Sequence, residues 1–306
     1  DPLVTTLAFP CSGTTCAADL YLPQPAPKQP PPVVLMAHGF GGERGWGLPA
    51  YARRFAQAGM AVLVFDYRGF GASGGQPRYV VDAGEHLKDW LAALDYVRAR
   101  RDLDASRVAL WGTSYSGGQV LDLGQRKLDG VRAISAQVPF VSGMGSSWLY
   151  PFKHLPRATW LGLRDLMRGA GKEPVYVPTT DEHGGFAALI CAECPTGYRK
   201  VVPPGVTPPN KVAARVLLTL PLYEPGRHAD RIQVPVLVIA AARAGLNPVA
   251  DVRQVAKRIP QAEYVELADA DHFSPYTGPT WDGVVARQPA FLVRHLAPAA
   301  ATAALR

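Results

Sequence analysis

The chain has 306 residues, of which 48% are hydrophobic and 19% are charged, and its formal net charge is +7. The charged share lies below the roughly 25% of average soluble domains, which favours a compact enzyme over a disordered protein. The 32 Lys and Arg residues are scattered rather than clustered, which argues against a nucleic-acid partner. No apolar run approaches the roughly 20 residues that a membrane-spanning helix needs, so no membrane span is predicted.

The four cysteines occur as two closely spaced pairs. Cys11 and Cys16 bracket the turn-like residues SGTT, where a disulfide could staple a β-hairpin, and Cys191 and Cys194 form CAEC, which could hold a local disulfide. A four-cysteine zinc site normally needs two C-x-x-C units, and the sequence has one, so we expect no metal. Two disulfides and a first residue other than Met favour an exported protein, although a trimmed chain fits the same start and a cytoplasmic location stays open.

Short apolar runs alternate with segments of helical spacing along most of the chain. Six runs are predicted as strands buried on both faces: 32–37, 61–66, 107–112, 131–136, 234–241 and 262–269. Four segments are predicted as helices: 48–59, 82–100, 251–259 and 282–296. This alternation predicts an α/β fold with a doubly wound, mostly parallel sheet.

The glycine-rich loop HGFGG follows the first of these strands, at residues 38–42. Chemistry at a carbonyl group needs two backbone N–H donors aimed at the negative charge that develops on its oxygen. We expect this loop to supply one of them, the N–H of Phe40. A plain strand-to-helix turn would explain the same glycines.

Ser114 lies in WGTSYSGGQ, between the strand 107–112 and the start of a predicted helix. A nucleophile at such a sharp elbow needs small flanking residues and projects from the carboxyl edge of the sheet. Ser116 replaces the second glycine of the G-x-S-x-G pattern, and serine is small enough for the turn. The helix N-terminus would place the N–H of Tyr115 and a partial positive charge beside an oxyanion. We therefore interpret Ser114 as a nucleophile.

The alternation lapses from residue 139 to residue 232, where proline, glycine and aromatic residues are frequent. A gap this long inside a compact domain is usually functional. Because strands resume after it, we expect 139–232 to form an inserted cap over one edge of a core made of 1–138 and 233–306. Aromatic side chains of the cap would suit the walls of an apolar acyl pocket, although ordinary packing would account for many of them. The candidate pocket residues are Trp148, Tyr150 and Trp160.

His272 follows the last predicted strand, in the stretch DADHFSPY. From there it could reach over the sheet edge to Ser114, take the hydroxyl proton and later give it to the leaving group. We interpret it as the general base.

These motifs together resemble the α/β-hydrolase superfamily over nearly the whole chain, and more narrowly its bacterial branch of Xaa-Pro dipeptidyl-peptidase-like and dienelactone-hydrolase-like enzymes. The resemblance is carried by HGFGG, FDYRGFGASGGQPR, DWLAALDYVR, ALWGTSYSGGQV, AQVPF and HFSPYTG. It implies a mostly parallel eight-stranded sheet with helices on both faces, a Ser–His–acid triad, and cleavage of ester or related acyl bonds without a cofactor. Fungal polyketide acyltransferases and thiohydrolases are similar as well. Asp66 and Arg68, inside the second motif, are interpreted as fold-maintaining.

The position where this family carries the acid of the triad holds Ala244. In the family the acid follows the next-to-last core strand, and counting back from Pro248 gives this alanine. Three explanations stay open: an introduced Asp→Ala exchange, a substitute carboxylate from Asp251, Asp269 or Asp271, or a natural protein with a catalytic dyad or with acyl binding only.

We therefore expect a serine hydrolase that cleaves a small-molecule carboxylic ester or thioester through an acyl-enzyme. The first alternative is an acyltransferase or cyclase that acts on a biosynthetic acyl intermediate, since a water-poor pocket favours another acceptor. The second is a non-catalytic relative that binds acyl ligands. The sequence carries no signal for an oligomeric state.

Overall fold

The computed structural model describes residues 1–169 and 171–298 of the chain. Its main sheet has eight strands in the order β1-β2-β4-β3-β5-β6-β9-β10. These strands are Leu3–Cys11 (β1), Thr14–Leu22 (β2), Pro32–Ala37 (β3), Ala61–Phe65 (β4), Asp104–Thr113 (β5), Val131–Gln137 (β6), Val236–Ala241 (β9) and Ala262–Leu267 (β10). β2 pairs antiparallel with both β1 and β4, and the remaining pairs are parallel.

Helices connect most of the strands. The helices are Leu48–Gln57 (α1), Ala83–Ala99 (α2), Tyr115–Gly124 (α3), Gly143–Ser147 (α4), Leu155–Leu166 (α5), Cys194–Val201 (α6), Val216–Thr219 (α7), Val249–Arg258 (α8) and Pro279–Leu296 (α9). The four predicted helices correspond to α1, α2, α8 and α9. Helix α9 begins three residues before its predicted start, because Pro279 fits the first turn, where no backbone N–H is needed.

The hydrophobic core lies in two layers, one on each face of the sheet. Successive side chains of a strand point to opposite faces, so Leu35 of β3 joins the layer that contains Trp90 of α2, and Met36 joins the layer that contains Phe55 of α1 and Leu292 of α9. This is the α/β-hydrolase fold, and the prediction of a mostly parallel eight-stranded sheet with helices on both faces is confirmed.

Residues 139–232 connect β6 to β9. They contain α4 to α7 and a separate antiparallel pair of two-residue strands, Tyr176–Val177 (β7) and Val212–Ala213 (β8). Inside this segment the buried carboxylate of Asp165 accepts hydrogen bonds from the backbone N–H of Val175 (2.8 Å) and from the backbone and side chain of Arg215 (2.9 and 2.7 Å). These contacts link α5 to the residue before β7 and to the residue before α7.

Both predicted disulfides are formed, Cys11–Cys16 across the turn between β1 and β2 and Cys191–Cys194 just before α6. Among the described residues, none of the helices has the length and hydrophobicity required to cross a membrane.

Candidate active site

Ser114 lies at the tip of the turn between β5 and α3 and has a positive φ of 56°. Neighbouring groups approach too closely for larger side chains: a Cβ on Gly112 would lie 2.2 Å from the carbonyl oxygen of Ser116, and one on Gly118 would lie 2.0 Å from that of Phe140. Ser116 has a use of its own, since its hydroxyl accepts from the N–H of Thr113 and donates to a carbonyl of β3 (both 2.8 Å). Serine at this position therefore braces the elbow.

The structure brings Ser114 and His272 together, although 158 positions separate them in the chain. Nε2 of His272 lies 2.8 Å from Oγ of Ser114. The imidazole is buried, and this burial lowers the pKa of His272 to about 4, against the smaller opposing effect of the charge on Asp271. The ring is therefore neutral at physiological pH and can accept a proton from the hydroxyl.

Nδ1 of His272 is buried and has no hydrogen-bond partner among the described residues. Ala244 packs against the small apolar cluster of Val138, Ala241 and Ala270, and its methyl group offers no acceptor. A carboxylate bonded to Nδ1 fixes the tautomer of a catalytic imidazole and stabilises its charged form. Within the part of the chain that the structure describes, the site thus lacks the third group that completes a triad.

None of the three alternative carboxylates bonds to Nδ1. Asp269 is exposed and pairs with Arg243 (2.6 Å). Asp271 uses Oδ1 to accept the backbone N–H groups of Phe273 and Ser274 (2.9 and 2.7 Å). Asp251, at the first turn of α8, lies against the backbone of α4.

Glu193 is the carboxylate that lies beside the loop containing Ala244. Its Oε1 accepts a hydrogen bond from the N–H of Gly245 (2.6 Å). Glu193 is the N-cap residue of α6, and Tyr198 of that helix packs edge-on against Phe273, with ring centroids 5.4 Å apart. The sequence did not predict the position of Glu193, because the spacing of CAEC indicates the disulfide but not the direction of the glutamate between the two cysteines.

The two predicted oxyanion donors both lie beside Ser114. Phe40, from the loop after β3, and Tyr115, the first residue of α3, line the same cavity as the serine. Neither backbone N–H donates a backbone hydrogen bond within the described part of the chain. Both amides are thus available to a bound oxygen, and the N-terminus of α3 adds a partial positive charge.

Asp66 and Arg68 make contacts that hold neighbouring loops. The carboxylate of Asp66 accepts the N–H groups of Arg44 and Ala72 (2.6 and 3.1 Å), and Arg68 pairs with the buried carboxylate of Asp89 (2.6 Å). Neither lines the cavity at the serine. These contacts fit the fold-maintaining role expected from the sequence.

A cavity of about 200 Å³ opens beside Ser114, between the sheet edge and residues 139–232. Its walls are mainly apolar and contain Tyr150, one of the three candidate pocket residues. Trp148 and Trp160 do not line it, and their side chains are 78% and 61% exposed, so the prediction for these two residues is wrong. On α5 the small residue Ala158 faces inward, and Trp160, two positions further along the helix, therefore points outward.

Comparisons with known proteins show the family and the fold of the chain. The model of the family described as X-Pro dipeptidyl-peptidase (S15 family) matches residues 12–173. The quorum-quenching protein AidA of Acinetobacter baumannii is 38% identical over 94% of this chain and 93% of its own. The thiohydrolase aneE of Aspergillus aculeatus is 36% identical over 29% of this chain and 28% of its own. The crystal structure of the α/β hydrolase GrgF from Penicillium sp. sh18 superposes with a TM-score of 0.82 at 22% identity, over 97% of this chain and 100% of that one.

Proposed function

The chain belongs to the X-Pro dipeptidyl-peptidase (S15) family and is a hydrolase with the α/β-hydrolase fold, and on this basis we propose that it cleaves a small-molecule carboxylic ester or thioester through an acyl-enzyme. The observation that carries the proposal is the 2.8 Å contact between Ser114 and the neutral imidazole of His272, at the wall of an apolar cavity. The relative named as a thiohydrolase supports the inclusion of thioesters.

In the proposed reaction, Oγ of Ser114 attacks the carbonyl carbon of the substrate while Nε2 of His272 takes the hydroxyl proton. The negative charge on the carbonyl oxygen is held by the N–H groups of Phe40 and Tyr115. The tetrahedral intermediate collapses, and the leaving alcohol or thiol takes the proton from His272. Water then attacks the acyl-serine with the same histidine as base, which releases the acid and restores the hydroxyl.

The cavity favours an acyl substrate over a peptide. A dipeptidyl-peptidase must hold the ammonium group at the N-terminus of its substrate, for which a carboxylate is the fitting partner. The lining of the cavity at Ser114 contains leucine, alanine and aromatic residues and, within the described residues, no Asp or Glu. An uncharged acyl chain is the ligand that suits these walls.

Acyl transfer to an alcohol or amine is the second candidate. A relative from Penicillium sp. named polyketide transferase grgF is 32% identical over 51% of this chain. Both reactions share the acyl-serine and differ in whether water or another nucleophile receives the acyl group. Product analysis with and without an added alcohol or amine separates them, and release of the free acid alone would exclude transfer to the acceptors tried.

The test of the proposal combines a p-nitrophenyl ester assay with labelling by a fluorophosphonate probe. We expect the native chain to hydrolyse the ester and to be labelled, and Ser114→Ala to lose both properties. Ser106→Ala, which removes an exposed hydroxyl next to Asp104, is the matched control and should keep both. Failure of the native chain to be labelled would contradict the acyl-enzyme and would favour a protein that only binds acyl ligands.

A further inference from the structure

Exposed apolar side chains are concentrated in residues 143–168, here called the amphipathic segment. It contributes nine of the fourteen large hydrophobic side chains that are exposed in the described residues. The most exposed of them are Phe152 at 80%, Trp148 at 78%, Met167 at 74% and Trp160 at 61%. Single exposed apolar residues are ordinary on a protein surface, but a concentration in one short segment marks an interaction site.

Helix α5, within this segment, has two distinct apolar faces. Its inner face packs through Ala158 and Gly162, which are buried. Trp160, Leu163 and Met167 are spaced three and four positions apart, which aligns them in one row on the outer face. Protein packing therefore accounts for the inner row, and the outer row has no partner among the described residues.

Basic residues accompany the outer row. Over residues 143–168 the sequence has four Lys or Arg and one acidic residue, the buried Asp165 that pairs with Arg215. Arg157 and Arg164 of α5 and Arg168 just beyond its end form a second row beside the apolar one, and none of the three forms an ion pair within the described residues. The guanidinium of Arg157 lies over the ring of Phe186 (4.5 Å), and the residue is exposed at this surface.

This combination of groups distinguishes between the possible occupants of the surface. In a two-fold dimer the same patch meets itself, which would bring the rows of arginine against each other without acidic partners. An anionic lipid surface complements the cations, accepts the apolar side chains, and suits tryptophan, which is favoured at membrane interfaces.

We propose that the amphipathic segment docks this protein onto an anionic lipid surface, with the outer row of α5, Trp148 and Phe152 entering the interface and the basic side chains contacting the headgroups. The inner side of the same segment lines the cavity at Ser114 through Leu149, Tyr150, Leu155 and Ala158. Docking would therefore bring the cavity to the place where long-chain acyl compounds partition. The docking itself does not depend on the proposed ester hydrolysis, and only this delivery of substrate rests on it.

The test is flotation of the purified full chain with vesicles of phosphatidylcholine alone and of phosphatidylcholine with phosphatidylglycerol. We expect binding to the anionic vesicles that weakens with added salt. Phe152→Ser/Trp160→Ser should abolish it, and Lys153→Gln/Arg164→Gln should weaken it by about fivefold for each cation removed. These four side chains are exposed and do not line the cavity, so hydrolysis of a short soluble p-nitrophenyl ester should be unchanged.

Two matched variants make the result specific to the segment. Arg54→Gln/Lys127→Gln removes the same charge from exposed positions elsewhere, and Leu3→Ser removes an exposed apolar side chain from β1; both should bind like the native chain. Equal binding to the two vesicle types, no binding, or an equal loss in these controls would overturn the proposal. A dimer in sedimentation velocity that Phe152→Ser/Trp160→Ser dissociates would overturn it as well and assign the surface to self-association. Absence of ester hydrolysis in the native chain would contradict the proposed function only.

Discussion

At the scale of single residues, the proposed chemistry depends on the imidazole of His272. It contacts Ser114 through Nε2 and has no partner at Nδ1 among the described residues. In a triad the acid holds the tautomer that accepts the proton and stabilises the imidazolium. Within the described residues no carboxylate bonds to Nδ1, and the ring is held by its burial, by Ser114 and by the edge of Phe273. The consequences for rate and for pH can be measured separately.

We predict that Ala244→Asp raises kcat/KM for p-nitrophenyl esters. Loss of the acid with the rest of the geometry kept costs about 10⁴ in rate in serine proteases, so a gain of up to about that size is expected. Ala242→Asp, which places the same charge two residues earlier in the loop, is the control and should give little gain. Equal effects of the two variants would mean that added charge, rather than a carboxylate at position 244, is responsible.

The same exchange should move the pH profile. Burial lowers the pKa of His272 to about 4, so the neutral base is present above that pH and kcat/KM should fall only as the pH approaches about 4. An aspartate near Nδ1 favours the charged ring and raises its pKa, so the acid limb of Ala244→Asp should lie at higher pH than that of the native chain. Coincident limbs in the two chains would contradict this account of the histidine.

The sequence predicted the residues whose positions follow from a local pattern, and missed those whose direction depends on the fold. Ser114 directly follows β5, and Ala244 and His272 lie in the loops that follow β9 and β10, so the carboxyl edge of the sheet limits where they lie. The directions of Trp148 and Trp160 depend on which face of each short helix packs inward, and composition does not reveal that. Glu193 has no periodic context at all.

At the scale of elements, the elbow depends on close contact between α3 and the chain after β6. A methyl group on Gly118 would lie 2.0 Å from the carbonyl oxygen of Phe140, whose N–H in turn donates to the carbonyl of Ser114 (2.9 Å). The backbone around the nucleophile is thus tied to the wall of the cavity.

We predict that Gly118→Ala destabilises the fold by about 1–3 kcal/mol, because the added methyl forces the two segments apart, and that it lowers ester hydrolysis as well. Gly283→Ala is the counterpart: it lies in α9 with no atom within 4 Å of the added Cβ and should stabilise by about 0.5–1 kcal/mol. Urea unfolding measures both. Similar effects of the two exchanges would rule out the close approach as the cause.

The apolar cavity predicts a dependence on acyl-chain length. Each additional CH₂ buried is worth about 0.8 kcal/mol, so kcat/KM should rise about fourfold per CH₂ until the cavity is full. Ala158→Leu fills part of the wall that α5 provides and should move the optimum to shorter chains, whereas Ala50→Leu, at an exposed position of α1, should leave it in place. A series of p-nitrophenyl esters tests this, and an unchanged optimum in Ala158→Leu would show that the acyl group binds elsewhere.

At the scale of the whole molecule, the sheet was predictable because its central strands are buried on both faces and therefore appear as continuous apolar runs. All six predicted strands are present, in β3, β4, β5, β6, β9 and β10, but the prediction that each is buried on both faces is wrong for β10, which is a partly exposed strand at the edge of the sheet. The segment 139–232 was less predictable. Its elements are short, as in the two-residue strands β7 and β8, and are held by long-range contacts such as Asp165–Arg215, which leave no periodic pattern in the sequence.

Burial of neutral histidines should make the whole fold sensitive to mild acid. Burial lowers the pKa of His38, His86 and His272 in the folded chain. Below about pH 6.5, the pKa of a histidine in the unfolded chain, these side chains therefore bind more protons when the chain is unfolded than when it is folded. Stability should therefore fall with decreasing pH by up to about 1.4 kcal/mol per pH unit for each histidine, for His272 until about pH 4. Urea unfolding between about pH 7 and pH 4 measures this slope. His272→Gln should reduce this slope by the contribution of one histidine. His183→Gln, at a position exposed in the folded chain, is the control and should leave the slope unchanged. A slope that neither exchange alters would assign the acid sensitivity to other groups.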